Sequence, residues 1–142
     1  MQLDQLYRAA ILEHARDPGN QQGLEHPQLE AEAVNHLCGD KLVLGLDLEE
    51  GKISRVGLQV RACALTCASA SIMRAAIQDQ PLTQVVQLGE AFRHGLEVGD
   101  NMEQPEALKP LLALKPQGGR HKCLLLPWQA LADCAAGVKH GE

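Results

Sequence analysis

Leu3, Leu6, Tyr7, Ala10, Ile11 and His14 recur at three- and four-residue spacing, which predicts an amphipathic helix over 3–14. Asp17, Pro18, Gly19 and Asn20 form a strong turn signal after it, and residues 18–30 read as a surface loop. Two strands follow: an apolar run over 42–48 and a partly alternating run over 53–60. Glu49, Glu50, Gly51 and Lys52 supply a short hairpin connection between them, and 31–35 fits an edge strand. The period then changes. Leu65, Ala68, Ile72, Met73, Ala76 and Ile77 keep helical spacing, with Thr66 as N-cap and Pro81 beyond the end. A further helix fits Leu82 to Leu96, and the acidic connector with Pro105 and Pro110 has room for one short helix. Gly118 and Gly119 open a loop that leads to Cys123, and a last helix runs from Pro127, suited to a first turn, to Lys139. The sum is an α+β fold: a small antiparallel sheet of about three strands with helices packed on it.

At 142 residues the chain is expected to form a single domain over 1–142. With 45% hydrophobic but only 2% aromatic residues, its core must be built from Leu, Val, Ile and Ala. Such a chain buries about two-thirds of its unfolded surface and needs no disulfide. A net charge of −5 argues against nucleic acid as a partner, because phosphate neutralisation needs clustered Lys and Arg. The first residues lack a basic stretch followed by an apolar one, and no run approaches 18 apolar residues. The expectation is a cytoplasmic protein with no membrane segment.

Five cysteines (Cys38, Cys63, Cys67, Cys123 and Cys134) are then read as reduced thiols, which points to metal binding or catalysis. No C-x-x-C pair is present, and spacing alone leaves buried packing thiols as the competing reading. Cys38, Gly39 and Asp40 precede a strand; they form either a simple turn or a corner offering thiolate and carboxylate to one ion. Cys63 falls where a strand meets a helix, where free N–H groups and the helix dipole suit an anionic sulfur. It is the best-placed nucleophile by this criterion. Cys67, four residues on, shares its helix face, as a packing residue or a spare ligand, and Cys134 reads as core. Arg120 and Lys122, with His121 between them, place two cations and a histidine beside Cys123. Three thiolates and one carboxylate around a divalent ion leave a charge of about −2, which Arg120 and Lys122 would offset.

The ordered set resembles the IscU/SufU/NifU N-terminal family of iron–sulfur cluster assembly proteins. It comprises Asn35-x-x-Cys38-Gly39-Asp40, then Cys63 with Ala68-Ser69-Ala70-Ser71, then Arg120-x-Lys122-Cys123 with Trp128-x-Ala130-Leu131. Leu6-Tyr7-Arg8, Asp17-Pro18 and Asn20 match as well, so the resemblance spans nearly the whole chain. It implies a NifU-like α+β fold with one site made of Cys38, Asp40, Cys63 and Cys123. It further implies that this site binds zinc or iron, or receives sulfur from a pyridoxal-phosphate cysteine desulfurase and builds a transient [2Fe–2S] cluster for recipient proteins. The long Cys63-to-Cys123 interval and Lys122 before the third cysteine look SufU-like. The chain departs from the family pattern at His36, Ala62 and Cys67, and Cys67 is thereby an alternative ligand.

On this reading Cys123, in a glycine-flanked basic loop, is the first choice of sulfur acceptor, since thiol exchange needs an accessible thiolate. Two rival readings differ in kind. A structural zinc module without sulfur chemistry would unfold on metal removal. A thiol redox protein would use the Cys63 and Cys67 pair.

Overall fold

The computed structural model describes residues 3–37, 39–98, 106–113 and 118–139. In chain order these form α1 (Leu3–Ala15), a 3-10 turn (Pro18–Gln21), β1 (Leu29–Asn35), β2 (Asp40–Glu49) and β3 (Lys52–Arg61). Then come α2 (Ala64–Ile77), α3 (Leu82–Val98), a second 3-10 turn (Glu106–Leu108), α4 (Lys109–Ala113) and α5 (Gly118–Lys139). Among the described residues no helix is long and apolar enough to cross a membrane.

The sheet is antiparallel in the order β1-β2-β3, as the two hydrophobic runs and the edge strand predict. Glu49 pairs with Lys52, leaving Glu50 (φ 54°) and Gly51 (φ 79°) as a two-residue turn. Positive φ at both central positions gives the twist that antiparallel neighbours need. Leu42, Leu44 and Leu46 alternate along β2 and are all fully buried, so the central strand turns one face wholly inward. Burial of each such side chain contributes about 2 kcal/mol before entropy is counted. Helices α2 and α5 cover that face, with α1 packed on α2 and α3 on α5. Phe92 of α3 meets Trp128 of α5 at 5.6 Å between ring centroids, so two of the three aromatic residues close that seam.

Two expectations fail, for physical reasons. The stretch expected as a loop before Cys123 is helical, because α5 begins at Gly118 and carries Pro127 in its interior. Proline removes the N–H that the Cys123 carbonyl would have accepted and crowds that carbonyl. The helix survives because the Thr66 hydroxyl, 3.0 Å away, donates to the Cys123 carbonyl instead. Thr66 is therefore not the N-cap of α2. Cys63 holds that position in extended conformation (φ −65°, ψ 165°), and Thr66 sits in the first turn with its hydroxyl turned inward.

The Asp17–Asn20 signal has a tertiary role as well as a local one. The Asp17 carboxylate accepts hydrogen bonds from the Gly19 N–H (2.8 Å), the Ser71 hydroxyl (2.7 Å) and the Arg74 guanidinium (2.6 Å). His14 lies 2.8 Å from the same Ser71 hydroxyl, and Asn20 donates to the Cys67 carbonyl at 2.9 Å. A Cβ at Gly19 would meet the Arg74 guanidinium, so a larger residue there would push that side chain aside and disturb its pairing with Asp17. Partial burial raises the Asp17 pKa, but the bonds from Ser71, Gly19 and Arg74 outweigh it and hold the carboxyl below its ordinary 3.8. A depressed folded-state pKa stabilises the fold fully above 3.8, and the contribution fades as pH falls through the folded value. Asp17→Asn is expected to cost about 1–2 kcal/mol in urea unfolding at pH 7. The gap to wild type should narrow below about pH 4, and a gap unchanged down to pH 2.5 would contradict this account.

Candidate metal centre

Strand register builds the site. Asn35 pairs with Asp40, and Lys41 with Arg61, so the start of β2 lies against the end of β3 where the chain turns into α2. The connection between β1 and β2 covers residues 36–39. Buried Asn35 opens it by accepting the Leu37 N–H at 3.2 Å, and Gly39 takes φ 70°, which favours a residue without Cβ. This gives Asn35 and Gly39 of the sequence motif a structural reason. Cys38 itself lies outside the described residues, as does the side chain of Arg120.

Asp40 is 3% exposed, so its carboxylate requires partners. One oxygen accepts the Cys63 N–H at 3.1 Å and the other the Thr66 hydroxyl at 3.2 Å. The Cys63 thiol is exposed and lies 3.4 Å from the same hydroxyl. Cys123 stands in the second turn of α5 and is 5% exposed. Asp40, Cys63 and Cys123 each direct one ligand atom into a common space, all within 4.8 Å of one another. Tetrahedral zinc with 2.3 Å bonds to sulfur needs ligand atoms about 3.8 Å apart, a small contraction from this arrangement. Two sulfurs and one hard oxygen, with the carboxylate already oriented by two donors, fit zinc or iron.

The structure thus gathers three of the four expected ligand residues from β2, the start of α2 and α5. Lys122 is exposed one residue before Cys123 and borders a groove with His36, Leu37 and Leu125. Cys67 is not part of the cluster, and its thiol is directed at the Ala62 carbonyl (3.5 Å). Partial burial, then the charges of Cys63 and Asp40, push its pKa up. Cys134 is core, as expected: it is 2% exposed, points at the Leu44 carbonyl, and burial pushes its pKa to about 12. The expected accessibility of Cys123 does not hold, since it sits on the inner side of a helix and not in a loop.

Sequence reading missed two residues. Thr66 and Ser69, both fully buried, send hydroxyls to the successive Cys123 and Leu124 carbonyls at 3.0 and 2.6 Å. Ser69 also accepts the Trp128 indole N–H at 3.1 Å. The available signal was their three-residue spacing from Cys63 onward, which places Cys63, Thr66 and Ser69 on one helix face.

Among the described residues, then, a three-stranded antiparallel sheet packs with five helices, and a Cys and Asp cluster lies where β2, α2 and α5 meet. The family model described as the NifU-like N-terminal domain matches residues 6–108, and the chain belongs to that family. It is similar to the "Zinc-dependent sulfurtransferase SufU" of Bacillus subtilis (strain 168), at 27% identity over 143 residues, covering 99% of this chain and 96% of the relative. It is also similar to the "Iron-sulfur cluster assembly scaffold protein IscU" of Streptococcus pyogenes serotype M1, at 30% identity over 97% of this chain and 89% of the relative. Among solved structures, a NifU-like N-terminal protein from Brucella abortus superposes with a TM-score of 0.83 at 24% identity, covering 99% of both chains. A SufU from Fervidobacterium islandicum AW-1 follows the same fold, with a TM-score of 0.79 at 22% identity over 92% of this chain and 97% of that one.

Exposure separates Cys63, at the cap of α2, from the half-buried Cys67 four residues on. Iodoacetamide applied to metal-free protein at pH 8 is expected to modify Cys63 at least about tenfold faster than Cys67. Peptide mass spectrometry reads the order, and equal rates would contradict the burial described for Cys67.

Proposed function

We propose that residues 1–142 form a single NifU N-terminal-like domain that accepts sulfur and assembles iron–sulfur clusters. In this reading Cys38, Asp40, Cys63 and Cys123 hold zinc or iron, and a [2Fe–2S] cluster is carried transiently before transfer to recipient proteins. The sulfur comes from a pyridoxal-phosphate cysteine desulfurase, and the setting is the cytoplasm. One observation carries the reading: the convergence of Asp40, Cys63 and Cys123 within 4.8 Å at the end of the sheet. The names of the relatives, one a zinc-dependent sulfurtransferase and one an assembly scaffold, support it.

Bound zinc would keep its cysteine ligands as thiolates at neutral pH, the form that exchanges sulfur. The chain's own part is to present one thiolate to the outer sulfur of the desulfurase persulfide. A new S–S bond forms on this chain, the old one breaks, and the desulfurase cysteine leaves as thiolate, with no net oxidation. Burial changes which thiol should attack. Cys123 was favoured for an accessible loop it does not occupy, and at 5% exposure it is poorly placed for a partner's cysteine. Cys63 is exposed, and Cys38 lies outside the described residues. Sulfur is therefore placed on Cys63 or Cys38, with Cys123 and Asp40 holding the ion from the protein side. Lys122 and Arg120 offset the negative charge of the ligand set.

The zinc-module alternative is less favoured, because the core cluster that includes Leu42, Leu44, Leu46, Ile72 and Leu131 contains none of the described ligand residues. Metal-free protein is expected to keep its cooperative thermal transition. Reconstituted protein should bind about one zinc per chain, and Asp40→Ala should weaken binding at least about tenfold. With a desulfurase and labelled cysteine, the persulfide is expected on the tryptic peptide carrying Cys38 or Cys63. A persulfide on the 123–139 peptide would return the acceptor role to Cys123, and no labelled sulfur at all would defeat the functional reading.

A further inference from the structure

The Thr66 side chain is fully buried and its hydroxyl lies among three ligand residues: 3.0 Å from the Cys123 carbonyl, 3.2 Å from an Asp40 oxygen and 3.4 Å from the Cys63 sulfur. A hydroxyl has one proton to give and two lone pairs to receive. It can accept from the Cys63 thiol, but it can satisfy only one of the two oxygens fully at a time. Both oxygens lie within its reach. The Asp40 carboxylate is buried, and the Cys123 carbonyl has lost its helix donor because Pro127 stands four residues on.

We propose that Thr66 is a positioning residue for the metal centre, sharing its single proton between Asp40 and the Cys123 carbonyl, and so fixing β2, α2 and α5 in register. This rests on the metal-site reading above for its purpose, though not for its geometry. The proline is part of the device. A helix with an ordinary donor at position 127 would offer the Cys123 carbonyl an N–H in competition with the Thr66 hydroxyl, and proline removes that competitor. The hydroxyl also touches Cys63, so the spacing of the two sulfurs depends on one side chain that need not bind the ion itself. When an ion draws on the Asp40 oxygens, the proton is free to remain with the Cys123 carbonyl, and α5 stays seated.

The test compares Thr66→Val, which keeps shape without the hydroxyl, with Thr66→Ser, which keeps the hydroxyl. The first readout, on metal-free protein, is the yield of a short bifunctional thiol cross-link between peptides 62–74 and 123–139. The second is zinc affinity by chelator competition. Thr66→Val is expected to lower the cross-link yield at least about threefold and zinc affinity about tenfold, with Thr66→Ser within about twofold of wild type. Adding Pro127→Ala to Thr66→Val gives the Cys123 carbonyl a helix donor again. That double variant is expected to regain the thermal midpoint while zinc binding stays weak, and it carries the measurement if Thr66→Val alone does not fold. Equal cross-link yields in wild type and the valine variant, or equal losses in valine and serine, would overturn the proposal. A wild-type chain that cross-links between these peptides but takes up no zinc would defeat the functional reading and leave the positioning role standing.

Discussion

Buried hydroxyls along one helix hold the rest of the molecule in place. Helix α2 runs through the centre of the fold, and three of its small polar residues carry its tertiary contacts: Thr66 and Ser69 toward α5, Ser71 toward Asp17 and His14. Small side chains let neighbouring helices approach closely, and each buried hydroxyl must then find a partner or destabilise the fold. The requirement makes the packing directional. Apolar contacts alone would leave α5 able to slide or rotate against α2 at little cost, whereas two hydroxyls on two consecutive carbonyls define one rotation and one height. Cys123 inherits its position from that constraint, and the site inherits its geometry from Cys123.

The ligand residues come from three elements far apart in the chain. No short peptide could hold them together, so the centre exists only when sheet and helices are assembled. The sheet supplies the rigid half. Asp40 is pinned by strand pairing and by the Cys63 N–H, so its carboxylate is oriented whether or not an ion is present. The helix supplies the other half through a proline that disrupts its own ladder. Local disruption, usually a cost, is here the reason that a backbone carbonyl is available at the site.

The hairpin, the edge strand and the first three helices were legible because each has an unambiguous period bounded by turn chemistry. Asp40 and Cys63 were legible from their places before a strand and at a strand–helix junction. The start of α5 was not. Gly118, Gly119 and Pro127 all argue locally against a helix, and the group that overrules them, the Thr66 hydroxyl, lies 57 residues away along the chain. Thr66 was misread for a related reason: a threonine near a helix start ordinarily caps it, and only tertiary structure shows that Cys63 takes the cap and frees the hydroxyl to face inward. The loop expected around Cys123 is replaced by the start of α5, which removes the accessibility argument for that thiol as acceptor.

Cys134 has a consequence outside the chemistry of the centre. Its sulfur is packed beneath β2, away from solvent, and its proton is held so firmly that the reactive form scarcely exists while the core is closed. Any reagent that reaches it does so through a rare opening of the whole interior, at a pace set by how often that opening occurs. The chain therefore carries an intrinsic timer for global unfolding alongside the exposed Cys63, and the integrity of the fold can be followed by slow labelling without adding a probe.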